Sequence, residues 1–463
     1  MYESTSRSRS RRTMGDTIEQ HREETKQRTV VGNVLRGSMG NMVEWFDFYS
    51  FTVFGTYFAH VFFASGKEDE DLLGVLGIFA AGFIMRPVGS WFFGRYADQR
   101  GRRAALTLSV LLMAGGSLLI AITPGVATIG IGATAILLLA RLVQGFSVGG
   151  EYGTSATYMS EMATRNRRGF YSSFQYLTLV SGQVLALVLQ IILQRTLSDE
   201  ALHNWGWRIP FVVGALAAVS VMWLRRGMIE SVPQEQMEAA RAAKPGEAAP
   251  GTIRLLREHW RAFGIVIGLT MGGTVAFYTF TSYMQILMLG TIKDKATVTT
   301  VNFFALLIFM LLQPVFGAVS DRIGRKPLLL WFGIGGVLFT WPIMTALSNT
   351  RSAGLSFLLM MSALLIVLGY TSINALVKAE IFPRSVRALG VGLGYGIANA
   401  LFGGTAPYIG KALHNAGRDD VFFTYVTVCI GISLLVYVRA FRNKEATQLD
   451  VEEGYAFGRR EAR

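Results

Sequence analysis

The chain has 463 residues, of which 51% are hydrophobic and only 16% charged, yet its formal net charge is +13. So low a charged fraction excludes an ordinary soluble domain, and a single cysteine, Cys429, excludes an internal disulfide or a cysteine-built metal site. The cations are scattered over alternate loops and the tails rather than gathered into one patch, which argues against a nucleic-acid surface.

The first 32 residues are polar and Ser/Arg-rich with no apolar core, so they predict a cytoplasmic tail rather than a cleavable signal peptide. Twelve apolar runs follow, each near the ~20 residues that cross a hydrocarbon core. They lie at about 33–63, 71–96, 103–123, 128–160, 170–194, 209–226, 262–290, 298–319, 327–348, 353–377, 386–412 and 420–441. Between the sixth and seventh is a polar stretch, 227–258, expected to be a cytoplasmic linker; 443–463 reads as a cytoplasmic tail.

The first run carries Gly40-Asn41-Met42-Val43-Glu44-Trp45-Phe46-Asp47-Phe48. Glu44 and Asp47 are three apart and so share a helix face. At ~1.5 Å per residue they sit about 17–21 Å along a helix beginning near 33. A central charge costs roughly 2.5–3.5 kcal/mol on insertion scales, and burial disfavours the charged form of a carboxylate. That cost suits a residue that loads and releases a proton; the plainer alternative is a permanently paired structural carboxylate.

The second run holds Arg86, and it ends in Gly94-Arg95-Tyr96-Ala97-Asp98-Gln99-Arg100-Gly101-Arg102-Arg103. In the fourth run, Arg141-Leu142-Val143-Gln144-Gly145 places another cation at mid-helix, where an unpaired Arg is costly. Arg141 is therefore expected to hold Glu44 or Asp47 ionised in one state and to release it on protonation. Glu151 is a further membrane acid on the same helix, and Gly145, Gly149 and Gly150 also suit close helix approach. Arg208, flanked by Trp205 and Trp207 before the sixth run, is a candidate substrate cation or an interface anchor.

The eighth run ends in Gly317-Ala318-Val319-Ser320-Asp321-Arg322-Ile323-Gly324-Arg325-Lys326, a second copy of the Gly94 loop. In each copy, Asp98 or Asp321 stands at a helix end beside arginines, able to pair with Arg or cap a neighbouring helix. This predicts a gate, against the alternative of basic residues that merely meet anionic lipid. A second repeated pair supports duplication: Glu161 precedes Glu380 by the same interval as Arg168 precedes Arg387. Lys378 ends the tenth run and stands either as a substrate cation or as a partner of Glu380. Polar candidates for a path between the halves are Gln175, Tyr278, Tyr283, Gln285, Tyr370, Asn374, Tyr395 and Asn399; each can instead bond a neighbouring helix.

The expected fold is an all-α polytopic membrane protein, with twelve transmembrane helices in two pseudo-symmetric six-helix bundles, 33–226 and 259–442. Basic residues in alternate loops place both termini in the cytoplasm.

The doubled Gly-x-x-x-Asp-x-x-Gly-Arg-(basic) loop resembles the signature of the major facilitator superfamily, with Gln99 standing where a basic residue is usual. The pattern from Gly40 to Phe48 resembles the superfamily's metabolite:proton symporter branch. The run from Gly149 to Glu161, Trp205 to Pro210 and Arg387 to Leu393 narrows the likeness to members carrying dicarboxylates. The resemblance implies import of a dicarboxylate such as α-ketoglutarate across a bacterial inner membrane. It also implies proton coupling through Glu44, Asp47, Arg141 and Glu151. Substrate contacts would come from Arg86, Arg208, Gln175, Tyr278, Tyr283, Tyr370, Asn374, Lys378 and Asn399. Gating would fall to Gly94, Asp98, Gly101, Arg102, Arg103, Glu161, Gly317, Asp321, Arg322, Gly324, Arg325, Glu380 and Arg387.

The expected partners are the substrate, protons and the bilayer, with no nucleic acid, no cofactor and no metal, and the carrier is expected to act as a monomer. Carriers of shikimate, citrate or a zwitterion such as proline or betaine are the alternatives within the branch. A substrate-sensing receptor is the alternative of another class, and a membrane enzyme is disfavoured by the lack of a His/Cys/Asp cluster. Moving one charge across the membrane costs about 2.3 kcal/mol per 100 mV, so a dianion entering a negative interior needs at least two protons to avoid that cost.

Overall fold

The computed structural model describes residues 40–162, 165–225, 257–383, 386–441 and 449; the two tails and most of the 227–258 linker lie outside it. Among the described residues the chain runs through twelve main helical segments, eight of them long and apolar enough by themselves to cross a membrane. The first bundle has α1 (40–53, continued after a bend at Phe54 by Gly55–Phe62), α2 (Glu68–Arg100), α3 (Arg102–Ile122), α4 (Gly132–Met162), α5 (Arg168–Thr196) and α6 (Ile209–Arg225). The second has α7 (Trp260–Tyr278, a π turn Thr279–Tyr283, then Met284–Ile292), α8 (Lys295–Ile323), α9 (Arg325–Asn349) and α10 (Ala353–Thr371, then Asn374–Ala379). It ends with α11 (Arg387–Ala398, a π turn Asn399–Gly403, then Ala406–Asn415) and α12 (Asp419–Ala440). These bounds follow the apolar runs closely, because lipid tolerates only backbone whose polar groups are bonded within the helix.

The distribution of side chains is that of a membrane protein. Leu111, Ile122, Leu139, Ile192, Leu338 and Leu358 point outward, while Glu44, Asp47, Arg86, Arg141 and Lys378 are buried. The acids and cations of the membrane runs therefore face the protein interior, where partners or a water-filled path can meet their solvation cost.

Two sequence features fix the interior geometry. In α2 and α4 the backbones touch: a Cβ at Gly145 would stand 1.8 Å from the Gly82 carbonyl oxygen, and one at Gly149 would stand 2.2 Å from that of Arg86. Only glycine permits this contact, which presses Arg86 and Arg141 into one layer. In the duplicated loops, Gly101 and Gly324 adopt nearly the same left-handed backbone, φ 93° and 92°. The second glycine of each copy is thus explained by a turn that other residues reach only with strain. These two loops mark the basic face of the molecule.

The two bundles meet along α5 and α8, and along α11 against α2 and α4. The π turns of α7 and α11 begin immediately after Tyr278 and at Asn399, in the middle of the second bundle's inner surface. Such turns are frequent at functional sites because they reorient side chains and loosen the backbone bonding locally.

Candidate functional site

Asp47 is 1% exposed and is held by three elements of the first bundle. One carboxylate oxygen accepts a bond from the Ser117 hydroxyl at 2.5 Å, and the other accepts from Nε2 of Gln144 at 2.6 Å. Gln144 in turn accepts from Arg141 through its own oxygen at 2.8 Å. The expected Arg141–acid pair is therefore indirect in this conformation: Gln144 stands between the two charges. Gly214 of α6 closes the fourth side, where a Cβ would come within 2.4 Å of Asp47 Oδ1. Glu44, one turn back, is also buried, with the Ser109 hydroxyl 3.5 Å from Oε1. A narrow crevice between α1, α3 and α6 is lined by Glu44, Asp47 and Gly214.

Arg141 is fully buried and uses aromatic faces as its remaining environment, with its guanidinium carbon 4.3 Å from the Phe48 ring centroid and 4.2 Å from that of Phe51. Arg86 of α2 shares the first of these rings: its guanidinium carbon lies 4.6 Å from Phe48, 3.8 Å from Phe83 and 5.0 Å from Trp45. Two buried cations thus flank one aromatic residue, and that residue is the neighbour of Asp47.

Arg86 differs from Arg141 in one decisive respect. All three of its guanidinium nitrogens are buried without a hydrogen bond of good geometry among the described residues, and the polar group beside them is the Tyr278 hydroxyl rather than a carboxylate. Around it, the hydroxyls of Tyr49 and Tyr278 and the Nδ2 of Asn399 are also buried without such a bond, while Asn399 Oδ1 accepts from Thr274 at 2.5 Å. A buried polar group left unbonded is costly. Here the open positions include an arginine fork, tyrosine hydroxyls and an amide N–H, which together suit a ligand rich in acceptors. A carboxylate matches the arginine fork through two parallel bonds.

Toward the basic face the path is closed. Tyr152 of α4 and Tyr395 of α11 stack across the bundles, with centroids 3.6 Å apart and planes 11° apart. Asn374 of α10 donates to the hydroxyls of Tyr152 and Tyr176 at 3.2 and 3.0 Å. Beyond them, the Asp321 carboxylate at the end of α8 accepts from the backbone N–H of Gly169 at 2.8 Å and of Phe170 at 2.9 Å, capping α5 of the other bundle. Arg325 holds Asp321 at 3.1 Å and reaches Glu380 at 3.5 Å. Arg387 donates to the carbonyls of Ala379 and Phe382, tying down the turn between α10 and α11. Gly317 lets α8 meet α5, since a Cβ there would stand 2.5 Å from the Gly169 carbonyl oxygen. Arg322 is exposed, and a Cβ at Gly94 would meet open space, so Gly94 makes no matching close approach.

Replacing Asp321 by asparagine removes one carboxylate acceptor and the charge. Because bonds to charged groups contribute about 1.5–3 kcal/mol, the Gly169 and Phe170 amides should exchange with solvent roughly tenfold to a hundredfold faster. Hydrogen-exchange mass spectrometry of the α5 N-terminus measures this, and unchanged protection there would remove Asp321 from the gate.

At the opposite face, Lys411 of α11 pairs with Asp69 of α2 at 2.5 Å, again across the bundles. A crevice between the bundles near that face is lined by Thr56, Tyr57, Gln183, Gln190, Gln285 and Lys295. Nothing in the local sequence around Asp69 or Lys411 marks a partner in the other half.

Several expected site residues lie elsewhere. Arg208 stacks on the buried Trp207 at 4.1 Å and donates to the carbonyls of Asn204 and Thr123. Tyr283 donates to the Gly410 carbonyl inside the second bundle, and Gln285 accepts from Asn302. Gln175 is buried, and its carbonyl accepts from Asn41 at 3.4 Å. Tyr370 is buried inside the second bundle, its ring against Phe332. Lys378 is not paired with Glu380, which Arg325 engages; its ammonium stands over Tyr395. The side chains of Asp98, Arg102, Arg103, Glu151 and Glu161 lie outside the described residues.

Comparison with known proteins agrees with this architecture. The profile of the family described as "Sugar (and other) transporter" matches residues 34–455. The chain belongs to that family. It is 50% identical to the alpha-ketoglutarate permease of Escherichia coli K12, covering 90% of this chain and 95% of the permease. It is 36% identical to a citrate-proton symporter of Klebsiella pneumoniae, over 86% and 90% of the two chains. Among solved structures, the xylose transporter XylE from E. coli superposes with a TM-score of 0.69 at 18% identity, covering 90% of this chain and 100% of that one. At that identity the match speaks for the fold alone, the twelve-helix carrier fold. The protein is thus a multi-pass membrane transporter and not an enzyme.

Proposed function

We propose that the protein imports a dicarboxylate, α-ketoglutarate or a near analogue, by proton symport and alternating access. The observation that carries the reading is Arg86: a buried guanidinium with no carboxylate partner among the described residues, beside the polar side chains of Tyr278 and Asn399 from the other bundle. The 50% identity to a permease for alpha-ketoglutarate points to the same ligand class. A zwitterion such as betaine, which carries its own cation, fits a cation-rich layer less well.

Coupling follows from the Phe48 layer. With Asp47 ionised, its charge offsets Arg141 through Gln144, and Arg86 alone attracts an anion. When Asp47 is protonated, Arg141 loses that compensation, and two cations beside one ring raise the positive potential where the substrate sits. Proton and anion therefore strengthen each other's binding, as reciprocal linkage requires. Glu44 is the second carboxylate of the same layer and supplies the second proton that a dianion needs for neutral entry.

The gate contacts at the two faces are the parts that exchange during alternating access: the Asp321 cap opens on one side while Asp69 and Lys411 hold the other. Basic loops assign the Gly101 and Gly324 face to the cytoplasm, with both termini there. The carrier acts as a monomer, because each bundle supplies half of a single path.

Uptake of labelled α-ketoglutarate into vesicles holding the purified protein tests the substrate assignment, with citrate, proline and betaine as competitors. The reading expects saturable uptake that an acidic exterior accelerates. Transport of betaine or proline with no α-ketoglutarate uptake would contradict it.

A further inference from the structure

Lys378, one of the buried cations of the second bundle, is a candidate substrate cation from the sequence that neither the Arg86 layer nor the gate contacts engage. Lys378 is 0% exposed, ends the second segment of α10 and has no carboxylate within ion-pair distance among the described residues. Its ammonium is 4.1 Å from the Tyr395 ring centroid and 5.4 Å from that of Tyr152, and 3.4 Å from the Tyr152 hydroxyl. Aromatic faces and one hydroxyl compensate only part of a buried ammonium's lost hydration.

Tyr395 is also where the second bundle meets Arg86. The next residue, Gly396, packs against the backbone of Pro87, the residue after Arg86, with a built Cβ 3.5 Å from Pro87 N. Arg86 lies near enough to act electrostatically on Tyr395, and Lys378 stands over that ring, so the two cations approach Tyr395 from different bundles.

We propose that Lys378 is a second carboxylate station, so that a dicarboxylate is held at two points, one end by Arg86 of the first bundle and the other by Lys378 of the second. This rests on the carboxylate reading of Arg86 given above. It turns a general anion site into one that selects for two carboxylates. It also makes the substrate itself a bridge between the bundles: a ligand that engages both cations favours their approach, and one carboxylate alone leaves Lys378 uncompensated.

The test compares α-ketoglutarate with 2-oxopentanoate, the same carbon chain with a methyl group in place of the far carboxylate. Affinities are measured by calorimetry on the full-length protein in lipid nanodiscs. The wild type should bind the dicarboxylate at least tenfold more tightly, a difference of one charge-assisted contact. In Lys378→Met, α-ketoglutarate affinity should fall to that of 2-oxopentanoate, whose own affinity stays unchanged and so reports an intact fold. Lys378→Arg should keep the preference for two carboxylates. A Lys378→Met protein that still prefers the dicarboxylate by the wild-type margin overturns the proposal while leaving the Arg86 reading standing. Loss of both ligands by Lys378→Met overturns it too, because a contact with the far carboxylate cannot be needed by a ligand that lacks one. Failure of the wild type to bind either acid would instead sink the carboxylate reading itself.

Discussion

Asp47→Asn is expected to abolish accumulation of substrate against a gradient while leaving exchange of substrate across the membrane intact. The substitution keeps the side chain's shape between Ser117, Gln144 and Gly214 but cannot lose a proton. It therefore mimics the protonated carrier, in which Arg141 is uncompensated beside Phe48. Substrate affinity, which should rise with acidity in the wild type by about 5–150-fold for a coupling of ~1–3 kcal/mol, should become nearly independent of pH and stay at its high value. Binding isotherms between pH 5.5 and 8.5 measure this. A variant that still accumulates substrate, or still shows the wild-type pH dependence, would remove Asp47 from coupling and shift the role to Glu44.

Arg86→Met carries the second large effect. Losing both arms of the guanidinium takes away at least one charge-assisted pair with the substrate carboxylate, about 3 kcal/mol, so affinity should fall by roughly a hundredfold or more. Arg86→Lys should recover little of it, since an ammonium cannot form the two parallel bonds of the fork. Stability should move the other way. The wild-type guanidinium has no carboxylate partner among the described residues, so methionine removes an incompletely compensated buried cation and thermal stability of the empty carrier should hold or rise. Near-normal uptake by Arg86→Met, or a collapse of its stability, would make Arg86 a structural residue.

The fold was legible because lipid imposes length on every span and because the chain repeats itself. The Gly101 and Gly324 loops, and the ability of Asp321 to cap a helix, follow from the motif alone. The acid layer was legible in part. Arg141 and Gln144 are three apart and share a helix face, so the glutamine could have been foreseen as the group between the charges. Spacing also bears on Lys378: residues two apart on a helix do not face each other, which weighs against Glu380 as its partner. The cross-bundle contacts were not legible. Asp69 and Lys411 are 342 positions apart, and Tyr152 meets Tyr395 only once both bundles are docked. The π turns that bring Tyr278 and Asn399 to the inner surface have no local sequence mark.

The most direct measurement is proton movement during substrate uptake, followed with a pH electrode on a weakly buffered suspension of vesicles containing the purified carrier. Adding α-ketoglutarate with no gradient imposed should make the external medium alkaline, by at least two protons for each dianion taken up, and Asp47→Asn vesicles should show no such change. Uptake by the wild type with the medium's pH unmoved would contradict the coupling of buried carboxylate to bound anion on which the mechanism stands.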